Sequence, residues 1–229
     1  MRELKEKYAE LIQTRQSSRA KKPSVKYSRG SFEIVIPEKL DIEPETVLER
    51  HRDWIEDKLP EARKYRQGIP DREFKEGGKI SVLGTEREIV IEKRRTGEVT
   101  EEKIFLARHL VERNSVKDRV RENLKKYSRK KFEEKSKKFT EEIDGNFEKI
   151  SVKDQKTRWG SCSGKNNLNF NWRLILGPEK VLEYVVIHEL VHLEVRNHSE
   201  SFWNRVAEIM PDYREAKNWL DENPAKLEF

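Results

Sequence analysis

Residues 188 to 198 read HELVHLEVRNH, and this run carries the strongest signal in the chain. His188 and His192 are four positions apart, so on an α-helix their side chains lie within roughly 40° of each other on one face. Two imidazoles placed in this way can bind the same metal ion. Glu189 lies on the flank of that face, where its carboxylate can reach a water on the metal without being a ligand. The pattern is typical of a zinc hydrolase.

His198 completes the predicted ligand set. It follows His192 by six positions, which is too far round a continuing helix to share the site. We therefore expect the helix to end near Asn197, a residue that tolerates the left-handed conformation common at helix ends, and the chain to fold His198 back. Three nitrogen ligands leave one tetrahedral position of zinc open, as in catalytic sites. The sequence predicts one Zn²⁺ per chain.

The residues before the motif favour a buried helix rather than a chance match. Gly177 and Pro178 supply a start signal. The apolar body consists of Val181, Leu182, Val185, Val186 and Leu193. Two histidines and a glutamate in a buried helix need polar partners, and a metal ion with its water satisfies all three.

The amino-acid composition limits the classes of protein to which the chain can belong. The chain has 229 residues, of which 40% are charged and 34% hydrophobic, but the apolar residues cluster in periodic segments, which predicts a folded protein with a charged surface. The single cysteine, Cys162, excludes an internal disulfide framework and favours a reducing compartment. No signal peptide or apolar run of about 20 residues is visible, so we expect a cytoplasmic protein without a membrane partner.

The net charge of +6 leaves the question of a nucleic-acid partner open. Two stretches are basic, one over residues 117 to 138 and one made of Arg15, Arg19, Lys21, Lys22 and Lys26. Either stretch can hold phosphate, although a solvated basic face explains them as well.

The order of predicted elements indicates an α+β fold in two parts. Residues 1–113 form a β-rich region with strands at 31–37, 79–83, 86–93 and 103–107, a hairpin turn at Arg29–Gly30 and one main helix at 44–66. Helical spacing also suggests a short helix over residues 1–14. Residues 114–229 form the second part, which contains the histidine motif.

The second part begins with a long basic helix over residues 116–143, followed by a strand at 149–154. Residues 168–174 then alternate in polarity, which places Asn169 and Arg173 on a polar face that can line a cleft. We expect this strand to lie at a sheet edge and to pair with the backbone of a peptide substrate.

Several segments together resemble the YgjP-like family of zinc metallopeptidases. They are KTRWGSCS at 156–163, LNFN at 168–171, YVVIHELVHL at 184–193, NHS at 197–199 with FW at 202–203, and PDY at 211–213. A weaker likeness upstream extends the resemblance over nearly the whole chain after residue 15. It implies a small zincin-like catalytic domain at 114–229, with His188, His192 and His198 as zinc ligands and Glu189 as the base. More distantly, such domains are similar to SprT-like proteases, which act on DNA-bound proteins.

Four further residues have two interpretations each. Arg158 and Trp159 either form the rim of the site, with Arg158 holding a carboxylate or phosphate, or Arg158 pairs with a buried acid and Trp159 belongs to the core. Tyr213 is a candidate oxyanion donor, with core packing as the alternative. Cys162 is either a small buried hydrophobe or a thiolate that blocks the zinc in a latent form.

The leading interpretation is a zinc-dependent hydrolase of the metallopeptidase type. Zinc polarises the scissile carbonyl and lowers the pKa of its water towards ~7, while Glu189 takes the proton and passes it to the leaving amine. A metal-dependent nucleoside triphosphate pyrophosphatase is the first alternative, since the same chemistry can attack phosphorus. A non-catalytic DNA- or protein-binding module with a structural zinc is the second.

Overall fold

The computed structural model describes residue 8 and residues 10–229 of the chain. The chain divides into two compact units, one ending at Pro70 and the other running from Asp71 to Phe229. Both mix helices and strands, which confirms the predicted α+β class. The division precedes the boundary that we predicted at residues 113/114, because the strands between residues 79 and 107 share a hydrophobic core with the C-terminal helices.

The first unit contains a three-stranded mixed sheet. Strand β1 spans Ile12–Ser17, β2 spans Ser24–Ser28 and β3 spans Ser31–Pro37, in the order β1-β3-β2. Strand β1 is parallel to β3 and β2 is antiparallel. The predicted hairpin turn is confirmed, since Arg29 and Gly30 both have positive φ angles, of 53° and 67°.

The helix predicted over residues 44–66 is present but interrupted. Helix α1 spans Pro44–Arg50 and α2 spans Arg52–Gln67. At the break, His51 Nδ1 lies 2.8 Å from the Val47 carbonyl oxygen, which would accept from the His51 amide in a continuous helix. A side chain that competes for a backbone acceptor in this way ends the first helix.

The helix predicted over residues 1–14 falls mostly outside the described residues, which exclude 1–7 and 9. Its last part is wrong, because Ile12 to Thr14 belong to β1 and pair in register with Phe32 to Ile34 of β3. Pairing with a neighbouring strand overrides the local helical spacing.

The second unit begins with a four-stranded mixed sheet and a one-turn helix. Strand β4 spans Lys79–Val82, β5 Thr85–Glu92, β6 Glu98–Val99 and β7 Lys103–Ala107, in the order β4-β5-β7-β6; helix α3 spans Arg108–Val111. The three predicted strands of this region are confirmed, and β6 is an addition.

Helix α4 spans Val116–Thr140 and is capped by Ser115, whose hydroxyl accepts from the Asp118 amide. Its apolar face packs on the sheet that follows. There the rings of Phe132 and Phe170 stack with their centroids 4.5 Å apart. The long helix predicted from residue 116 is therefore confirmed, ending three residues earlier than expected.

A second three-stranded sheet leads to the site. Strand β8 spans Lys149–Lys153, β9 Gly160–Cys162 and β10 Asn167–Asn171, in the order β8-β10-β9. The strand predicted over residues 168–174 ends at Asn171, because residues 172–176 form a 3₁₀-helix whose first turn is capped by the Asn171 side chain. Strand β10 is the central strand, so the prediction that it forms a sheet edge is wrong.

The chain ends in three helices. Helix α5 spans Glu179–Val191, α6 spans Glu200–Ile209 and α7 spans Tyr213–Glu222, and a short 3₁₀-helix, Pro224–Leu227, follows. Within the described residues, no helix combines the length and the apolar character that crossing a membrane requires.

Candidate metal centre

Helix α5 holds the first part of the motif rigidly. It begins directly after Gly177 and Pro178, as predicted, and is buried on nearly all sides. His188 is in its last turn, and His192 follows directly after its last residue. A helix fixed by a surrounding core gives these side chains defined positions.

The helix ends earlier than predicted. Its last residue is Val191, and a turn follows in which the Leu193 amide donates to Leu190 and the Val195 amide to Val191. Asn197 has no positive φ, so the predicted left-handed ending at this residue is wrong. Its side-chain oxygen instead accepts from the Ser199 amide, just before α6.

Three imidazoles meet beyond this turn. The candidate ligand atoms of His188, His192 and His198 all lie within 4.8 Å of one another. The Nε2 atoms of His188 and His198 are 3.0 Å apart. Bonds of 2.0–2.1 Å to a tetrahedral zinc separate two ligand nitrogens by roughly 3.4 Å, so small side-chain rotations suffice to fit the ion.

The protonation states suit a metal. His192 Nδ1 lies 3.0 Å from the Val195 carbonyl oxygen. Because a carbonyl oxygen only accepts hydrogen bonds, Nδ1 carries the proton and Nε2 keeps its lone pair for the metal. Burial, with His192 and His198 nearby, lowers the pKa of His188 to about 3, and burial likewise lowers the pKa of His192. Both rings are neutral near pH 7, as metal ligands must be.

Phe202 forms an apolar floor beneath the histidines. Its ring centroid lies 4.9 Å from that of His188, 4.6 Å from that of His192 and 4.8 Å from that of His198. Phe202 is fully buried on α6. This one ring contacts all three candidate ligands and restricts their rotation.

Glu189 lies beside the histidines but is not one of the metal-binding group. It is only 6% exposed. Burial raises the pKa of its carboxyl to about 7, against the opposing effects of the nearby Cys162 backbone amide and of the Arg158 charge. A carboxyl whose pKa lies near the working pH can both take up and release a proton.

The comparison with protein families is consistent with this geometry. The family described as YgjP-like, metallopeptidase domain, matches residues 21–223, which is most of the chain. The chain belongs to the YgjP-like metallopeptidase family. It is therefore a metal-dependent hydrolase of the peptidase type, and the resemblance seen in the sequence is confirmed.

Among solved structures, the chain is similar to the crystal structure of the metallopeptidase zymogen abylysin from Pyrococcus abyssi. The two are 21% identical with a TM-score of 0.34, and the match covers 42% of this chain and 93% of the abylysin chain. The comparison with curated proteins gives no match.

In this YgjP-like chain the two predicted rim residues take different places. Arg158 is exposed, and its charge acts on the Glu189 carboxyl. Trp159 packs against the hydrophobic core, and its carbonyl accepts from the Asn171 amide. The structure thus favours the core for Trp159, whereas an exposed Arg158 whose charge acts on a buried acid is consistent with both of its interpretations.

The two residues of the predicted polar face, Asn169 and Arg173, lie on different elements of the structure. Asn169 remains on β10 and donates to the Ser161 hydroxyl of β9, 3.3 Å away. Arg173 lies on the 3₁₀-helix and forms ion pairs with Asp154 and Glu228. Since its guanidinium is already paired with two carboxylates, the structure gives no support to a substrate-binding Arg173.

Tyr213 joins a stack of aromatic rings that leads to the site. Its ring is nearly parallel to Tyr184 on one side and Trp203 on the other, with centroids 6.3 and 5.6 Å away. Trp203 in turn stacks on His198 at 5.8 Å. This packing explains why Tyr213 is buried; its predicted role as an oxyanion donor stays a prediction.

Cys162 does not join the histidines. Its sulfur lies 3.5 Å from an Arg196 Nη, and Arg196 also donates to the Ser163 carbonyl and the Asn166 side chain. Burial raises the pKa of the Cys162 thiol, which favours the protonated form. The geometry therefore favours a packed thiol over a thiolate that blocks the metal.

The basic stretch on α4 is largely neutralised by neighbouring acids. Lys135 pairs with both Glu179 and Glu183, at 2.7 Å each. Further pairs on the helix are Arg119 with Glu122, Arg121 with Asp118, Lys126 with Glu122, Arg129 with Glu133 and Lys131 with Glu134. Such mixed pairing is typical of a solvated face and gives no support to a nucleic-acid partner.

Sequence reasoning missed Gly160, Phe202 and Arg196 as parts of the site. Phe202 belongs to the FW pair that contributes to the family resemblance, but nothing local connects it, or Arg196, with the site, because their contacts join segments distant in the chain. Gly160 had a signal: a glycine within a short strand often marks a place where another group approaches the backbone closely.

Proposed function

We propose that this chain is a zinc-dependent peptidase in which His188, His192 and His198 hold the metal and Glu189 is the general base. The observation that carries the proposal is the convergence of three imidazoles, with a buried carboxylate beside them that is not needed as a ligand. A zinc ion held there supplies Lewis acidity, which polarises a scissile carbonyl and acidifies water. All four residues lie within 114–229, which we propose as the catalytic part.

Glu189 performs the proton transfers in this proposal. Its carboxylate accepts a proton from the attacking water and gives it to the nitrogen of the leaving amine. Its burial supports this role, because a low local dielectric strengthens the interaction between the carboxylate and the groups it orients. Phe202 keeps bulk water from the opposite side of the histidines.

An extended peptide fits better beside β9 than beside β10. In the antiparallel pair, the Ser163 amide donates to the Asn167 carbonyl and the Asn171 amide to the Trp159 carbonyl. The odd-numbered residues of β9 therefore form the backbone hydrogen bonds to β10. The N–H and C=O groups of Gly160 and Cys162 face away from β10. Strand β9 is at the sheet edge, so its outer side is where we propose that a substrate strand is added.

Zinc is the metal that this ligand set favours in the proposal. Imidazole nitrogen suits zinc, copper, iron and nickel, whereas magnesium and calcium prefer oxygen ligands. Three protein ligands and one open tetrahedral position are the arrangement of catalytic zinc.

The test is a panel assay on purified protein. Zinc-, manganese- and magnesium-loaded samples are incubated with an unfolded protein such as reduced casein, with and without DNA, and separately with nucleoside triphosphates. The proposal predicts cleavage of the unfolded protein that depends on zinc and not on DNA. Cleavage of triphosphates alone would replace it with the pyrophosphatase alternative, and stoichiometric zinc with no hydrolysis would leave a structural site.

A further inference from the structure

Gly160, the first residue of β9, lies directly against the side chain of Glu189. A Cβ atom at Gly160 would be 2.5 Å from Glu189 Oε1, 2.7 Å from Cγ and 2.9 Å from Cδ. These separations are shorter than real Cβ contacts, which are almost never below 3.0 Å. The carboxylate therefore occupies space that is open only because residue 160 has no side chain.

Strand β9 cannot easily move to relieve such a contact. Hydrogen bonds to β10 flank Gly160 on both sides, from the Asn171 amide to the Trp159 carbonyl at 2.8 Å and from the Ser163 amide to the Asn167 carbonyl at 3.0 Å. A side chain at position 160 would therefore displace the carboxylate rather than the strand.

A second group of the same strand acts on the same carboxylate. The Cys162 backbone amide, which faces away from β10, lies near enough to Glu189 to lower the pKa of its carboxyl. Gly160 and Cys162 are two positions apart and so present their backbone to the same side of β9. Gly160 provides space for the carboxylate, and Cys162 provides a nearby backbone N–H group.

From this geometry we infer that β9 is the positioning element of the general base, with Gly160 as the residue that sets where the Glu189 carboxylate lies. Gly160 acts through Glu189 and is not itself a catalytic residue. The inference rests on the proposed function, in which Glu189 is the base. The φ angle of Gly160 is not left-handed, so every residue type could adopt its backbone conformation. The inference explains why this position of the three-residue strand is nevertheless a glycine.

The experiment compares Gly160→Ala with Gly164→Ala. Gly164 lies in the turn after β9 and has no positive φ, and a methyl group on its Cα would meet no atom within 4 Å, so alanine is harmless there. We expect Gly160→Ala to keep its zinc content and thermal midpoint, to change KM by less than about threefold and to lose roughly 10²-fold in kcat, as a misplaced catalytic group does. Gly164→Ala should behave as wild type in all four measurements.

A double-mutant cycle shows whether Gly160 acts through Glu189. In a Glu189→Asp background the shorter carboxylate no longer lies against residue 160, so adding Gly160→Ala should cost less than about threefold further in kcat. An equal loss in both backgrounds, or a wild-type kcat for Gly160→Ala, would overturn the inference. If Gly160→Ala does not fold, Cys162→Pro removes the backbone N–H group that lies near Glu189 on the outer edge of β9 and should lower kcat at unchanged zinc content.

Crystal structures separate this inference from the proposed function. Gly160→Ala should show the Glu189 carboxylate displaced by about 1 Å or more from its wild-type position, with β9 unmoved. A carboxylate that stays in place would contradict the positioning role even in a fully active peptidase. Absence of peptidase activity in the wild type would instead reject the proposed function. The position of the Glu189 carboxylate in the crystal structures would still test the positioning role.

Discussion

The Nε2 atoms of His188 and His198 lie 3.0 Å apart, although ten positions separate the two residues in the chain. One is on a buried helix and the other follows an irregular loop. The site therefore depends on the conformation of residues 193–197 as much as on the helix, and the contacts of Phe202 with both rings hold the two parts together.

The first prediction concerns the metal. His192→Ala removes one of three ligands, so zinc retention after dialysis against a mild chelator should fall from about one ion per chain to near zero. Elemental analysis of the purified protein measures this. His109→Ala is the matched control, since His109 is exposed on α3 and outside the ligand group, and it should retain zinc fully.

The second prediction concerns the loop between the ligands. Glu194 accepts from the Asp144 amide at 2.6 Å and from Arg205 Nε at 2.9 Å, so it fixes the chain between His192 and His198. Glu194→Ala should weaken zinc affinity by about tenfold, as loss of a supporting contact around a metal does. Competition with a fluorescent zinc chelator gives the affinity.

Glu208 provides the control for that measurement. It pairs with the same Arg205, at 2.9 Å, but lies on α6 and does not hold the loop. Glu208→Ala should leave zinc affinity unchanged. If both variants lower the zinc affinity equally, the loss comes from the disturbed Arg205 and not from the conformation of the loop.

The third prediction concerns Arg158, which is exposed and whose charge reaches Glu189. For a peptidase, Arg158→Ala should weaken turnover of an unfolded protein by no more than about tenfold, since its contribution is one exposed charge. For a triphosphate pyrophosphatase it should abolish activity at unchanged zinc content, because phosphates need the cation. Lys153→Ala, at an exposed position on β8, is the control and should be neutral in both assays.

The fourth prediction concerns pH and stability without metal. Burial raises the pKa of Glu189 from 4.5 to about 7, so between these values the folded protein holds a proton that the unfolded chain has lost. The ionised group then destabilises the fold increasingly as pH rises through this window. At pH 8, metal-free Glu189→Gln should be more stable than metal-free wild type by up to roughly 3 kcal/mol.

Urea unfolding at pH 8 and at pH 4 measures this difference. At pH 4 both the folded and the unfolded wild type are largely protonated at Glu189, so the gain from Gln should nearly vanish. A gain of equal size at both values would show that it does not come from ionisation.

The sequence was sufficient for the part of the site that lies on one helix. His188 and His192 share a face because of helical spacing alone, and the apolar residues of α5 predict its burial. Gly177 and Pro178 also predict where α5 begins, because start signals act locally. The strands within residues 31–37 and 79–107 were also predicted correctly, because their sequence signals act locally too.

The sequence was insufficient where distant segments pair. Nothing local distinguishes a central from an edge strand, so the position of β10 between β8 and β9 was not predicted. The end of α5 was misplaced because a turn at Val191 satisfies the last helical carbonyls before Asn197 is reached. Gly160 could not be connected with Glu189 until the fold brought β9 against α5.

Glu189→Gln tests the central claim most directly, because it removes proton transfer while preserving the size of the side chain and one of its acceptor oxygens. The measurement is zinc content together with kcat on an unfolded protein substrate, in the same preparation. The proposed mechanism predicts about one zinc per chain and a 10²- to 10⁴-fold lower kcat, the usual contribution of general acid–base catalysis. Loss of zinc from this variant would make Glu189 a ligand, and undiminished hydrolysis would mean that another group is the base; either result contradicts the mechanism.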